Sequence, residues 1–193
     1  MTQAVLESKY DLAQFIADVK RIAAETPDDR DKLARLRPLI QRVVADPSWL
    51  PEAYTQLNPN GRAALYTLHE EADHTLALFA VVWPPGHNKT PPHNHGTWAL
   101  VAGIRGMEQN VWWKRLDDGS RPGYAEVEQV WTQGVGPGDV IVFLPDDIHS
   151  VRNDGTEPTI SLHLYGLHTN YTDRYAFDPE QRTAFPYKIS PLA

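Results

Sequence analysis

The first third of the chain carries its apolar residues at helical spacing. Leu12, Phe15, Ile16, Val19, Ile22 and Ala23 recur every three or four positions, with Ser8 placed as a cap ahead of them. Leu33, Leu36, Ile40, Val43 and Val44 continue that period. Pro38 falls inside it and predicts a kink or a fresh helix start, because the proline ring removes one N–H and crowds the preceding turn. Asp46-Pro47 has the form of a cap followed by proline in a first turn. From about Ala63 the pattern changes to short apolar runs between turn residues, as all-β chains require. The predicted strands run over 63–69, 75–83, 97–104, 108–115, 125–132, 139–144 and 159–167. Pro84-Pro85-Gly86, Asp117-Asp118-Gly119, Gly136-Pro137-Gly138 and Asn153-Asp154-Gly155 mark turns between them. This spacing predicts a mainly β fold, a jelly-roll sandwich or barrel behind an N-terminal helical segment. One domain covers 1–193, with helices in 1–60, the barrel in 61–169 and a tail without regular structure in 170–193.

With 193 residues, 41% hydrophobic and 22% charged, the chain is long enough to bury one core and has an ordinary globular composition. A net charge of −7 argues against nucleic acid or an anionic membrane as partner. The absence of cysteine excludes disulfides, thiolate zinc sites and a cysteine nucleophile, and fits a reducing compartment. The first ten residues lack the apolar stretch of a signal peptide, and no apolar run reaches the ~18 residues of a membrane span. The expected location is the cytoplasm.

The chemistry concentrates in histidines. His93 and His95 stand two apart, so on extended backbone both imidazoles point to one face and can share a metal. Pro91-Pro92 stiffens the approach. Gly86 comes seven residues before His93 and Gly106 eleven after His95; Gly138, Pro145, His149 and Asn153 form a second block. The two blocks together resemble the paired motifs of the cupins, which implies a metal on His93, His95 and His149. Ala99 occupies the place of the motif's glutamate, so the ligand set is three neutral nitrogens with no carboxylate. Imidazole suits iron, zinc, copper and nickel. Iron(II) in such a site would keep its charge and three open positions, which suits an anionic substrate beside O₂; zinc, nickel and manganese remain open. His69, His74, His87 and His168 read as structural or solvated.

The run from Thr159 alternates. Ser161, His163 and Tyr165 share one face, with Leu162 and Leu164 on the other. If the leucines face an outer core, the polar three point into the barrel, where a hydrogen bond can pass from phenol through imidazole to serine. Pro92-His93-Asn94-His95, Gly106, His149-Ser150-Val151-Arg152-Asn153 and Ser161-Leu162-His163-Leu164-Tyr165 are similar to the thiol dioxygenases of the cysteine dioxygenase superfamily. The resemblance implies iron(II) on the three histidines, a catalytic series of Ser161, His163 and Tyr165, and oxidation of a thiol to a sulfinic acid with both atoms of O₂.

Two features depart from the animal-type enzymes. Those carry, at the position of Ala99, a cysteine cross-linked to the tyrosine matching Tyr165; this chain has none. They also hold the substrate carboxylate with an arginine in the first barrel strand, where this chain reads Tyr66-Thr67-Leu68-His69. Bacterial 3-mercaptopropionate dioxygenases lack that arginine too and use one after the Ser–His–Tyr strand; Arg174 stands at the matching distance. The expected function is therefore a non-haem iron(II) dioxygenase acting on 3-mercaptopropionate, with Arg174 binding its carboxylate. Mercaptosuccinate, drawing on Arg105 or Arg152, and L-cysteine are alternative substrates. A non-catalytic metal-binding cupin sensor is the alternative of a different class.

Overall fold

The computed structural model describes residues 10–88 and 90–191. Helix α1 (Leu12–Glu25) begins where the Asp11 carboxylate accepts the Gln14 amide at 2.8 Å. Ser8, the expected cap, lies outside the described residues. The helical period breaks at Thr26-Pro27-Asp28, and Asp28 then caps α2 (Asp29–Ala45) through the Asp31 amide at 3.0 Å. Pro38 sits within α2 and starts no new helix. It removes one backbone bond, while Leu33, Leu36, Ile40, Val43 and Val44 are buried on both sides of it, and that packing outweighs the loss. Asp46-Pro47 opens only a single 3-10 turn, Pro47–Trp49.

Strands β1 (Ala64–Glu70), β2 (Ala77–Trp83), β3 (Ala99–Arg105), β4 (Glu108–Arg115), β5 (Val127–Val135), β6 (Val140–Phe143) and β8 (Thr159–Tyr165) answer to the seven predicted runs. Three more lie outside that prediction: β7 (Ile148–Arg152), β9 (Tyr175–Asp178) and β10 (Thr183–Pro186). The tail is thus not irregular, because its last two strands pair with each other as an antiparallel hairpin. One sheet has the order β1-β2-β8-β3-β6 and the other β5-β4-β7. His93 bridges the second sheet to the tail, pairing with His149 on one side and Ala176 on the other. The two sheets enclose a jelly-roll barrel, as the strand spacing predicted.

Apart from its edge strand β1, which is mostly half-buried, the five-stranded sheet is buried on both faces. Leu78, Leu100, Leu162 and Leu164 point outward and pack against Phe15, Val19, Leu36 and Ile40 of the helices. Phe79, Val101, Ile141, Phe143 and Tyr165 point into the barrel. β8 is buried at every position, so its alternation selects between two interiors rather than between core and water.

β3 passes directly against the turn before β6. Gly103 donates its amide to Asp139 and accepts from Gly138, both at 3.0 Å, and a Cβ at Gly103 would stand 2.1 Å from the Gly136 carbonyl oxygen. Since that obstacle is backbone, Gly103→Ala is expected to lower stability by about 1–3 kcal/mol. Equilibrium urea unfolding measures it; an unchanged midpoint would mean the turn moves freely.

Candidate metal centre

His93 and His149 reach the site as direct cross-strand neighbours. The His93 amide donates to the His149 carbonyl at 2.8 Å and the His149 amide returns the bond at 2.9 Å. A pair that exchanges both bonds has its side chains on the same face of the ladder. His95 follows two residues on, and its carbonyl accepts from the Thr172 hydroxyl at 2.7 Å. The ligand atoms of His93, His95 and His149 all lie within 4.8 Å of one another, and all three residues are buried. Three imidazoles converging inside a barrel of two antiparallel sheets are what the motif blocks predicted. The fold is that of a cupin.

The tautomers follow from the bonding. His93 Nδ1 donates to the Pro91 carbonyl at 2.8 Å, and His149 Nδ1 donates to Asn110 Oδ1 at 2.9 Å, leaving each Nε2 with its lone pair free. Nε2 of His149 faces Nε2 of His95 at 3.2 Å. Burial, and secondarily the Arg174 charge, push His93 down to about 3. Burial also holds His95 and His149 well below the ordinary histidine value. All three are therefore neutral at pH 7, the state a metal ligand requires. Two nitrogens at ~2.1 Å from one ion and at right angles to each other stand about 3.0 Å apart, so the His95–His149 spacing fits a shared metal. Phe143 packs on both rings, with centroids 4.2 Å from His149 and 5.2 Å from His95, and keeps water from that side.

β8 supplies the Ser–His–Tyr series in the expected orientation. Ser161 Oγ lies 2.9 Å from His163 Nε2, and His163 Nδ1 lies 3.1 Å from the Tyr165 hydroxyl. Burial pushes His163 down to about 3 and Tyr165 up to about 12, the latter opposed by Arg174, so both are neutral. Tyr165 is paired across the ladder with Ala77 of β2 and Ala99 of β3, small residues that leave its ring room. The ring centroid lies 5.2 Å from that of His95.

Two residues of this site carried no signal in the chain. Glu108 and Asn110 of β4 are both buried on the barrel side. Asn110 Nδ2 donates to Glu108 Oε1 at 3.0 Å, and the Ser161 hydroxyl donates to Glu108 Oε2 at 2.8 Å. An unbroken hydrogen-bonded series therefore runs from His149 through Asn110, Glu108, Ser161 and His163 to Tyr165. Burial raises the Glu108 pKa, against the opposing bonds from Asn110 and Ser161.

Arg174 is only 3% exposed. It stands next to β9, which pairs with the 92–94 segment, and its Nε donates to the Asn94 carbonyl at 3.1 Å. Its guanidinium lies 4.6 Å from the Tyr187 ring centroid. Among the described residues no carboxylate forms an ion pair with it. Arg174, His93, His149, His163 and Tyr165 all line one inner cavity of about 60 Å³. Trp83, Thr90 and Tyr187 border both this cavity and an outer pocket of about 730 Å³. Arg105 and Arg152 line neither; Arg152 instead pairs with Asp154 at 3.3 Å. Of the remaining histidines, His69 meets Glu71 and His74 meets Glu70, His87 meets the Thr90 hydroxyl, and His168 accepts the Asn170 amide.

No protein-family model matches the chain. Solved structures of similar shape are cupin or double-stranded β-helix proteins. An oxalate oxidase in complex with glycolate matches with a TM-score of 0.43 at 20% identity, over 57% of this chain and 53% of its own. This chain therefore spans about half the length of that protein. A DMSP lyase from Ruegeria pomeroyi matches with a TM-score of 0.45 at 21% identity, over 68% of this chain and 60% of its own. A conserved protein with a double-stranded β-helix domain from Klebsiella pneumoniae matches with a TM-score of 0.48 at 14% identity, over 68% of this chain and 93% of its own. No helix among the described residues is long and apolar enough to cross a membrane.

Proposed function

We propose that the protein is a non-haem iron(II) thiol dioxygenase that converts 3-mercaptopropionate and O₂ to the corresponding sulfinic acid. The observation that carries this reading is the shared cavity: a buried guanidinium, with no carboxylate partner among the described residues, opens on the same small space as His93 and His149 of the histidine cluster and Tyr165. His93, His95 and His149 would hold the iron. Iron(II) bound there supplies a seat for the thiolate and the electrons that activate O₂.

The chain's own groups do the rest. Arg174 presents a planar fork to a carboxylate, and the Tyr187 ring beneath it keeps that fork oriented. Leu65, Val81, Val151 and Ile189 wall the cavity and exclude water, which strengthens each charge inside it. Tyr165 is held by His163 and can give or take a hydrogen bond at the substrate. Among the described residues no Asp or Glu lines the cavity to receive an ammonium group. The amine of L-cysteine would therefore be desolvated without a partner, which favours 3-mercaptopropionate. The positions of Arg105 and Arg152 likewise leave the second carboxylate of mercaptosuccinate without the cation expected for it.

Metal analysis together with oxygen uptake on 3-mercaptopropionate, L-cysteine, mercaptosuccinate and cysteamine tests the reading. Iron with oxygen uptake on 3-mercaptopropionate supports it; metal binding with no thiol-dependent oxygen uptake leaves a metal-binding sensor instead. Tyr165→Phe is expected to keep its metal and lose about 2 kcal/mol of transition-state stabilisation, roughly thirtyfold in kcat, because it removes only a preorganised hydroxyl. Unchanged kinetics in that variant would remove Tyr165 from the chemistry.

A further inference from the structure

The hydrogen-bonded series has a direction, and Glu108 sets it. Asn110 is fixed first: its Oδ1 accepts from His149, so its Nδ2 must donate to Glu108 Oε1. The Ser161 hydroxyl donates to the other carboxylate oxygen. Ser161 Oγ must then accept from His163 Nε2, and the bare His163 Nδ1 must accept from the Tyr165 hydroxyl. With Glu108 as carboxylate, the phenol proton is turned away from the cavity and a phenol lone pair faces it. With Glu108 protonated, every bond between it and Tyr165 reverses, and the hydroxyl donates into the cavity. The two arrangements differ by one proton in total, held on Glu108, and by no movement of heavy atoms.

We propose that Glu108 is the internal acceptor for a proton released in the cavity, with Ser161, His163 and Tyr165 as the wire that carries it. Given the thiol reading above, that proton is the substrate's own. The thiol S–H proton passes to the Tyr165 oxygen as the phenol proton passes to His163 Nδ1. The His163 Nε2 proton passes to Ser161 Oγ, and the serine proton passes to Glu108 Oε2. The thiol becomes a thiolate, the carboxylate becomes a carboxylic acid, and each intervening group regains the proton it gave up. No electrons are exchanged. A carboxylate sealed away from water is a stronger base than one on the surface, and Glu108 forms no ion pair with any described lysine or arginine. Glu108 does not touch the cavity, so its role is to position and store protons through its neighbours.

Glu108→Gln tests this with little change of shape. Its amide oxygen is taken by Asn110, so its amide nitrogen must donate to Ser161 and lock the reversed direction. The readout is the His163 tautomer, by two-bond nitrogen–proton correlation on isotope-labelled protein loaded with diamagnetic zinc. The wild type is expected to carry the proton on Nε2 and Glu108→Gln on Nδ1. Adding 3-mercaptopropionate moves the wild-type proton to Nδ1 without acidifying the buffer, whereas Glu108→Gln keeps its tautomer and releases a proton for each thiol bound. Ser161→Ala cuts the wire, so in that background Glu108→Gln no longer alters His163. The same tautomer in wild type and Glu108→Gln overturns the proposal. So does thiol binding that acidifies the buffer equally in both. Failure of any thiol to bind sinks the thiol reading, while the tautomer comparison still decides the wire.

Discussion

His93→Ala, His95→Ala and His149→Ala are each expected to yield folded protein that purifies without its metal. Thiol-dependent oxygen uptake should fall by roughly a thousandfold or more, because the lost Lewis acid is worth several kcal/mol at the transition state. The ligand set holds no carboxylate to compensate, and removing one nitrogen leaves two single-point ligands. The three positions also fail for separate local reasons. His149 is anchored through Asn110, His93 through the Pro91 carbonyl, and His95 by packing against Phe143, its Nδ1 having no hydrogen-bond partner among the described residues. Metal analysis of protein expressed with iron, alongside thermal unfolding, separates loss of the site from loss of the fold. A variant that retains a full complement of iron would remove that histidine from the ligand set.

Arg174→Ala is expected to weaken kcat/KM for 3-mercaptopropionate by about 3 kcal/mol, roughly 150-fold, while cysteamine, which has no carboxylate, is affected little. The figure lies at the upper end for a hydrogen bond to a charged group because the guanidinium is buried and its partner would be sealed from water. The loss should fall mainly on KM, since the carboxylate is bound equally in ground and transition states. Arg174 also holds the Asn94 carbonyl between two of the histidines, so iron content must be measured on the same preparation. Arg174→Lys keeps the charge without the fork and should recover only part of the loss. Equal weakening of all four thiols, with iron intact, would make Arg174 a structural residue and leave the substrate carboxylate unassigned.

Much of the site was readable before any tertiary contact. The two-residue step between His93 and His95 puts both rings on one side of any extended segment, and the alternation of Ser161, His163 and Tyr165 against Leu162 and Leu164 sorts polar from apolar. Both follow from the period of extended backbone alone. The helices are readable from their own 3.6-residue period, except that the break expected at Pro38 falls at Thr26-Pro27-Asp28. Pro38 is tolerated because it sits on the exposed side of a helix whose other face is well buried.

Glu108 and Asn110 were not readable, although they alternate as regularly as Ser161 and His163. In Glu108-Gln109-Asn110-Val111 both phases of the alternation carry polar residues, so the segment passes for a solvated strand. Which face turns inward is settled by the register of β4 against β7, where Asn110 pairs with Val151 and Trp112 with His149. The tail hid its structure in another way. β9 is only four residues long and pairs with the segment around His93, which is itself too short to read as a strand.

The sequence by itself determined the mainly β architecture behind an N-terminal helical segment, the three histidines and the polar face of β8, because each of these is a local periodicity or a spacing within one segment. The tertiary structure alone decided that His149 lies directly across from His93, that Glu108 and Asn110 join the two polar strands, and that Arg174 shares a cavity with His93 and His149. Those are relations between segments far apart in the chain. Backbone pairing and burial create them, and no single segment encodes which other it will meet.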